Sequence, residues 1–129
     1  MKSEDASSTP SHAATPAEQV WRLIGMRATP VTPEYVAAVS PKLRGGLYVQ
    51  AVSPNSPAAR ALIQKGDILV GMHVGNRHWE TIRPDNILYI LKQPEATRAQ
   101  AVQYYLVRHN SIQQGALDLA DGESSPLTR

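Results

Sequence analysis

The stretch SPNSPAARALIQKGDILVGM, residues 53–72, places turn residues and small residues directly before an apolar run. Ser56 is a suitable helix N-cap, and Pro57 suits the first helical position. Gly66 can adopt a positive φ at a helix end, and Asp67 can bond nearby backbone groups in a turn. The apolar run DILVGMHV is typical of a buried strand. The stretch therefore predicts a short helix that packs closely on a sheet through its small side chains, Ala58, Ala59 and Ala61.

The composition of the chain excludes several classes of function. A length of 129 residues is typical of one domain with a modest core. The absence of cysteine excludes disulfides and thiolate chemistry. The net charge of +2 is small and the basic residues are scattered, so we expect no binding of nucleic acid. No apolar run reaches the roughly 18 residues that a spanning helix needs, so we expect no membrane insertion.

The two ends of the chain differ in composition from its centre. Residues 1–17 are rich in Ser, Thr, Ala and Pro, which predicts a flexible linker or tail. They contain no apolar segment of the kind that a secretory signal requires. Residues 121–129 are equally polar and predict a disordered tail. The domain itself is expected to span 18–120.

Within the domain, strand-like and helix-like segments alternate without regular βαβ units. Helices are predicted after Thr32 and over 83–93, where Pro84 suits a helix start and Pro94 its end. Strands are predicted at GGLYVQAV, at DILVGMHV, and on both sides of a hairpin turn at His109-Asn110-Ser111. The segment GNRHWET is interpreted as a turn or loop. Five or six short strands with two or three helices indicate an α+β fold built as a partly open β-barrel or sandwich.

This order of elements resembles a PDZ domain, specifically the type attached to bacterial HtrA/Deg-like serine proteases. The resemblance spans roughly 20–120 and rests on Ser56-Pro57-Ala58-Ala59, Leu62-Ile63 and Gly66-Asp67-Ile68-Leu69. The chain departs from the family at Arg60-Ala61, where Ala-Gly is frequent. It departs again at His109-Asn110-Ser111, where Asp-Gly or Asn-Gly is usual.

The resemblance implies a module that captures an extended or C-terminal peptide segment by β-strand addition. The segment RLIGM at 22–26 resembles the carboxylate-binding loop of the family. Gly25 lacks a Cβ, which would let the loop turn sharply and direct backbone amides at one point. The expected carboxylate-binding residues are Leu23, Ile24, Gly25 and Met26, and the expected peptide groove is formed by Ala28, Pro84, Leu88 and Leu91.

The implied partners are peptides or unfolded protein C-termini with an apolar last residue. The isolated domain is expected to be a monomer, in a bacterial periplasm or cell envelope. Such a domain would recruit substrates or regulate an HtrA/Deg-like, trypsin-like serine endopeptidase whose catalytic triad lies outside this chain. The chain itself is expected to be non-catalytic and to need no cofactor, since Ser53, Ser56 and the nearby acids form no nucleophile, base and orienting group.

Several alternatives remain open at this stage. The module could serve as a scaffold or secretion-system PDZ domain without a protease, or as a structural domain whose pocket is filled by its own side chains. His73, His78 and Glu80 could suggest a metal site, but solvated loop histidines explain them better, and no metal is expected. Trp79 either packs over the core or forms an exposed anchor for a partner, and we favour packing.

Overall fold

The computed structural model describes residues 15–119. Most of the predicted linker and all of the predicted C-terminal tail lie outside the described residues. Within residues 15–119, six strands form one antiparallel sheet. The sheet is open rather than closed into a barrel, and the predicted α+β class is confirmed. The strands are β1 (Met26–Val31), β2 (Gly46–Val52), β3 (Ile68–Val74), β4 (Arg77–Glu80), β5 (Ala101–Arg108) and β6 (Ser111–Asp118). Their order in the sheet is β1-β2-β3-β5-β6, and β4 pairs with β3.

The residues 15–119 contain five helices, against the two or three predicted. Ser56 is the N-cap of α3, and its Oγ accepts a hydrogen bond from Ala59 N–H at 3.2 Å. The helix after Thr32 is a single turn. The helices are α1 (Pro16–Ile24), α2 (Pro33–Val36), α3 (Pro57–Arg60), α4 (Pro84–Leu91) and α5 (Pro94–Ala99).

Three elements differ from the sequence prediction. Helix α1 was not predicted, although Thr15 and Glu18 form a capping box at its start. Helix α5 was not predicted either, because Pro94 begins this helix as well as following α4. The segment interpreted as a loop contains β4, which forms a hairpin with β3 by pairing His73 with His78. By contrast, the second hairpin turn was predicted correctly, and His109 and Asn110 both adopt positive φ there.

The sheet buries side chains on both faces. Leu69 belongs to the main core cluster, while its neighbours Ile68 and Val70 belong to a second cluster. Side chains alternate along a strand, so the two clusters lie on opposite faces of the sheet. The main cluster also contains residues of α1, α4 and α5, and these helices therefore cover one face. No helix within residues 15–119 has the length and apolar character needed to cross a membrane.

Candidate functional site

An open apolar cavity of about 320 Å³ lies between the C-terminal ends of α1 and α4. Leu23 stands at its rim with 55% of its surface exposed. Leu88 and Leu91 face the cavity from successive turns of α4. The structure therefore brings together four of the residues predicted for the site. The full lining is Leu23, Ile24, Leu88, Leu91, Lys92 and Leu119.

The other predicted groove residues do not line this cavity. Met26 is fully buried in the main core cluster. Ala28 is also buried, on β1 beside α4. Pro84 is half-buried at the N-terminal end of α4, two helical turns from Leu91. These residues place the predicted groove along the length of α4, with the cavity at one end.

The carboxylate-binding role of Leu23, Ile24, Gly25 and Met26 stays a prediction, and in this structure the amides of Ile24 and Gly25 bond to carbonyl groups of α1. Ile24 is the last residue of α1, where backbone N–H groups bond within the helix. Gly25 adopts a φ of 77° and caps α1, because its N–H donates to Trp21 C=O at 2.9 Å. The glycine was correctly expected at a sharp turn, but the turn ends a helix. Of the four predicted carboxylate-binding residues, only Met26 has a backbone N–H that points to the edge of β1 facing away from β2.

Among residues 15–119, no strand pairs with the edge of β1 that faces away from β2. Ser53 N–H donates to Gly25 C=O at 2.7 Å, so Met26 and Val52 form a non-hydrogen-bonded pair. The backbone N–H and C=O of Met26 therefore point to the open edge. Because backbone groups alternate along a strand, those of Ala28 and the C=O of Pro30 point the same way. This edge offers two donors to an added strand, and Pro30 offers none.

The residues that identified the fold form a separate polar network. Asp67 is buried, and its carboxylate accepts hydrogen bonds from Arg108 Nε at 2.8 Å and Nη2 at 2.6 Å. Gln64 N–H donates to the same carboxylate at 2.8 Å. The hydrogen bonds that Arg108 donates to Asp67 raise the pKa of Arg108. Burial raises the pKa of Tyr104, whose hydroxyl donates to Ala61 C=O at 2.7 Å.

The histidines and the tryptophan of the β3–β4 hairpin contact other side chains of the fold. His73 Nδ1 lies 2.8 Å from the Tyr105 hydroxyl, and His78 lies on the neighbouring strand. Among the residues of the chain that the structure describes, no three His, Cys, Asp or Glu residues lie close enough to hold a metal ion. Trp79 packs against the main core cluster, and the guanidinium of Arg77 lies 4.9 Å from its ring centre. The packing interpretation of Trp79 is thereby confirmed.

Two residues of the cavity were not predicted. Lys92 follows Leu88 by four residues. This spacing puts both side chains on one helix face, and it could have identified Lys92. Leu119 follows β6 and reaches the cavity only through the tertiary fold, so no local signal could have identified it.

An edge strand open beside a helix, with an apolar cavity at one end, is the arrangement of a PDZ-type domain. Comparison with known proteins supports this class, although no protein-family profile matches the chain. Human serine protease HTRA3 is 44% identical to it over 55 residues, which are 38% of this chain and 12% of HTRA3. Mouse HTRA3 gives the same identity and coverage. The chain thus matches only 12% of the length of these relatives.

Two solved structures are similar to the chain. The HtrA3 PDZ domain bound to a phage-derived ligand, FGRWV, superposes with a TM-score of 0.52 and 28% identity. The match covers 75% of this chain and 84% of that domain. An AlgW variant, an HtrA-type protease with a decapeptide, superposes with a TM-score of 0.56 and 15% identity over 81% of this chain and 32% of AlgW. The predicted resemblance to the non-catalytic PDZ domains of HtrA-type proteases is confirmed.

Proposed function

We propose that this chain is a peptide-binding PDZ module that captures extended or C-terminal peptide segments by β-strand addition to β1. The observation that carries the proposal is the position of the apolar cavity at the Met26 end of the open β1 edge. A peptide that runs antiparallel to β1 places its last residue beside this cavity. Its preceding residues then pass Ala28 and Pro30.

The two parts of the site contribute different energies. Each backbone hydrogen bond from Met26 or Ala28 to the peptide contributes about 0.5–1.5 kcal/mol net. Full burial of a Val or Leu side chain in the cavity contributes about 1.5–3 kcal/mol. The apolar last side chain is therefore the largest single contribution, and peptides with an apolar end are preferred.

The relatives support the proposal and suggest its setting. The ligand of the HtrA3 PDZ domain, FGRWV, ends in an apolar residue. We extend the proposal to a substrate-recruiting or regulatory role in an HtrA/Deg-like serine endopeptidase. A location in a bacterial periplasm or cell envelope, and a monomeric state of the isolated domain, are proposed from the family resemblance alone.

A binding titration with labelled pentapeptides ending in Val, Leu, Ile, Ser or Asp tests the proposal. We expect the apolar-ended peptides to bind and the Asp-ended peptide to bind weakly or not at all. Leu23→Ser is expected to lower the affinity for a Val-ended peptide about fivefold, since it removes part of the apolar wall. Leu62→Ser is the matched control, because Leu62 is 71% exposed and does not line the cavity.

Two results of this titration would contradict the proposal. If no pentapeptide binds, the structural-domain alternative is favoured. If Leu62→Ser weakens binding as much as Leu23→Ser, the peptide does not use this cavity. Replacing peptide amides by N-methyl amides at alternate positions should weaken binding with a period of two residues, as strand pairing requires.

A further inference from the structure

The sheet has a second unpaired edge, on β6. Strand β6 pairs with β5 along its whole length without a bulge, and no strand within residues 15–119 pairs with its other side. Arg108 pairs with Ser111 across the hairpin turn, and Leu119 N–H donates to Gln100 C=O at 2.8 Å just beyond the other end of β6. These two ends fix which residues of β6 direct their backbone groups at β5.

The hydrogen-bonding pattern leaves three residues of β6 facing outward. In an antiparallel pair, residues that exchange hydrogen bonds with the partner strand alternate with residues whose N–H and C=O point away from it. Counting back from Leu119, every second residue bonds to β5. The N–H and C=O of Ile112, Gln114 and Ala116 therefore point away from β5, and no backbone group within residues 15–119 bonds to them. From Ile112 to Ala116 the edge offers a donor and an acceptor at every second residue.

The outer edge of β6 has none of the features that usually protect a free strand. The segment SIQQGAL, 111–117, contains no charged residue and no proline, and its pairing with β5 has no bulge. Free edges usually carry such features, because an unprotected edge pairs with other strands. The β1 edge carries two of them, Arg27 and Pro30. Strand β6 is thus the edge of this sheet that is better suited to pairing with the edge of another folded sheet.

The side chains of β6 match those of a second β6 in one antiparallel register. When two copies pair about a two-fold axis at Gln114, Ile112 of one copy lies opposite Ala116 of the other. In the same register, Gln113 lies opposite Gly115, so each larger side chain faces a small residue. Ile112 is 49% exposed in the single chain, and its contact with Ala116 of the other copy removes apolar surface from water. The two Gln114 side chains meet at the axis, where no like charges oppose each other.

We propose that β6 pairs with β6 of a second copy of this chain, antiparallel about Gln114, and joins the two sheets into one. Three hydrogen-bonded residue pairs with two bonds each give about six backbone hydrogen bonds. An interface of one strand from each copy is smaller than that of a stable dimer, so the self-dissociation constant is on the order of 0.1–1 mM. The isolated domain is then monomeric at micromolar concentration, in agreement with the state already proposed, and pairs where copies are concentrated or held together.

This pairing leaves the proposed peptide site of each copy available. Strands β1 and β6 lie at opposite edges of the sheet, and the paired residues, 112–116, do not line the apolar cavity. A pair would present two peptide sites, so a client with two suitable segments would bind more tightly than a client with one. The inference concerns a different edge from β1 and does not rest on the proposed function.

Nitrogen–proton correlation spectra of the 129-residue chain, recorded from about 0.05 to 1 mM, test the inference. We expect the amide signals of Ile112, Gln114 and Ala116 to shift with concentration. The amide signals of Met26 and Ala28, on the other free edge, should stay constant. Sedimentation velocity at the same concentrations should show the corresponding increase in average mass.

Charge at the two-fold axis provides the variants. Gln114→Lys places two like charges opposite each other and should weaken pairing about fivefold. Gln114 is exposed, so the variant should unfold at the same urea concentration as the wild type. Gln50→Lys is the matched control, because Gln50 is equally exposed but lies on β2, an inner strand of the sheet. It should leave the pairing within about twofold of the wild type.

A mixture of two variants tests the register. Gln114→Lys and Gln114→Glu should each pair more weakly than the wild type when alone. Their mixture should pair more tightly than either variant alone, because opposite charges then meet at the axis. Labelling only the Gln114→Lys variant shows this directly, as a shift of its β6 amide signals when the unlabelled Gln114→Glu variant is added.

Four results would overturn the inference. Spectra that do not change up to about 1 mM would show that β6 does not pair at the expected strength. Shifts at β1 in place of β6 would assign self-association to the other edge. A mixture no tighter than its components would show that the two copies do not meet at Gln114. Shifts of the β6 signals only after addition of a pentapeptide would make β6 a second peptide-binding edge. In every one of these cases the titration at the β1 edge still decides the proposed function separately.

Discussion

The residues that identify the fold and the residues that form the candidate site behave in opposite ways. In the first region, which comprises 53–72 and Arg108, polar groups bond to one another. Ser56 Oγ donates to Ser53 C=O at 2.7 Å and also accepts from Ala59 N–H. Asp67 accepts three hydrogen bonds. The hydrogen bonds of this region therefore stabilise the fold.

In the second region, around the cavity, apolar surface and polar groups are exposed and available for binding. Leu23 is exposed, Lys92 forms none of the ion pairs within residues 15–119, and the backbone groups of Met26 face the open edge. Binding needs unpaired donors and accessible apolar surface, whereas stability needs the reverse. The contrast explains why a segment can be diagnostic of a fold and have no part in its binding site. It also predicts that substitutions in the two regions affect different measurements.

The largest effect is expected from Asp67→Ala. Removal of this buried carboxylate leaves the Gln64 N–H without its acceptor, and it leaves the partly exposed Arg108 guanidinium with only its bond to Leu62 C=O. We expect the free energy of unfolding to fall by about 3 kcal/mol, measured by urea denaturation. The affinity of the folded fraction for a Val-ended peptide should not change. Leu23→Ser should show the reverse pattern, with stability within about 0.5 kcal/mol of the wild type.

A double-mutant cycle separates the ion pair from other effects of the substitution. Once Asp67 is alanine, Arg108→Met should cost far less than it does in the wild type, because the pair is already broken. Equal costs of Arg108→Met in both backgrounds would show that the pair does not hold the first region together. The contrast between the two regions would then lose its main support.

The next largest effect is expected from Gly25→Ala, at the point where the two regions meet. Gly25 ends α1 with a positive φ, and a Cβ there would overlap the Cβ and Oγ of Ser56. An L-residue in this conformation costs about 1–2 kcal/mol before any overlap. We therefore expect a loss of about 2–3 kcal/mol in the free energy of unfolding. Urea denaturation measures it.

Ser56→Gly provides the control for this prediction. It removes both overlapping atoms, so the double variant should be more stable than the sum of the two single losses predicts. Ser56→Gly alone should cost only a few tenths of a kcal/mol, since glycine is an acceptable N-cap. If Gly25→Ala denatures at the same urea concentration as the wild type, residue 25 does not need a positive φ, and α1 does not end as described.

The first region could be predicted from sequence because its signals are local. A Ser-Pro pair before small residues favours a helix start, and a Gly-Asp pair favours a turn, without help from distant residues. Helix α1 had a local signal too, in Thr15 and Glu18. The composition of residues 1–17, rich in Ser, Thr, Ala and Pro, nevertheless favours a linker over a helix.

The second region could be predicted only in part. The spacing of Leu88 and Leu91 on one helix indicates a shared face, and the cavity indeed uses both. A glycine with positive φ suits a helix cap and a carboxylate loop equally well, so the presence of Gly25 does not distinguish the two. The choice between them depends on whether the preceding residues are helical. The position of Leu119 depends on pairing across the whole sheet, which no local pattern contains.

The smallest effect is expected from Pro30→Val, which tests how far the open edge extends along β1. Pro30 has no N–H, so strand addition to β1 loses a donor at this position. Pro30→Val restores it at a residue that is exposed and already extended. One added backbone bond of about 1 kcal/mol should raise the affinity about fivefold for peptides long enough to reach it. Peptides of about five or more residues reach residue 30 and tripeptides do not, so tripeptides with the same end are the internal control. Equal gains for both lengths would show that the substitution acts through the domain, and no gain for either would show that the added strand ends before Pro30.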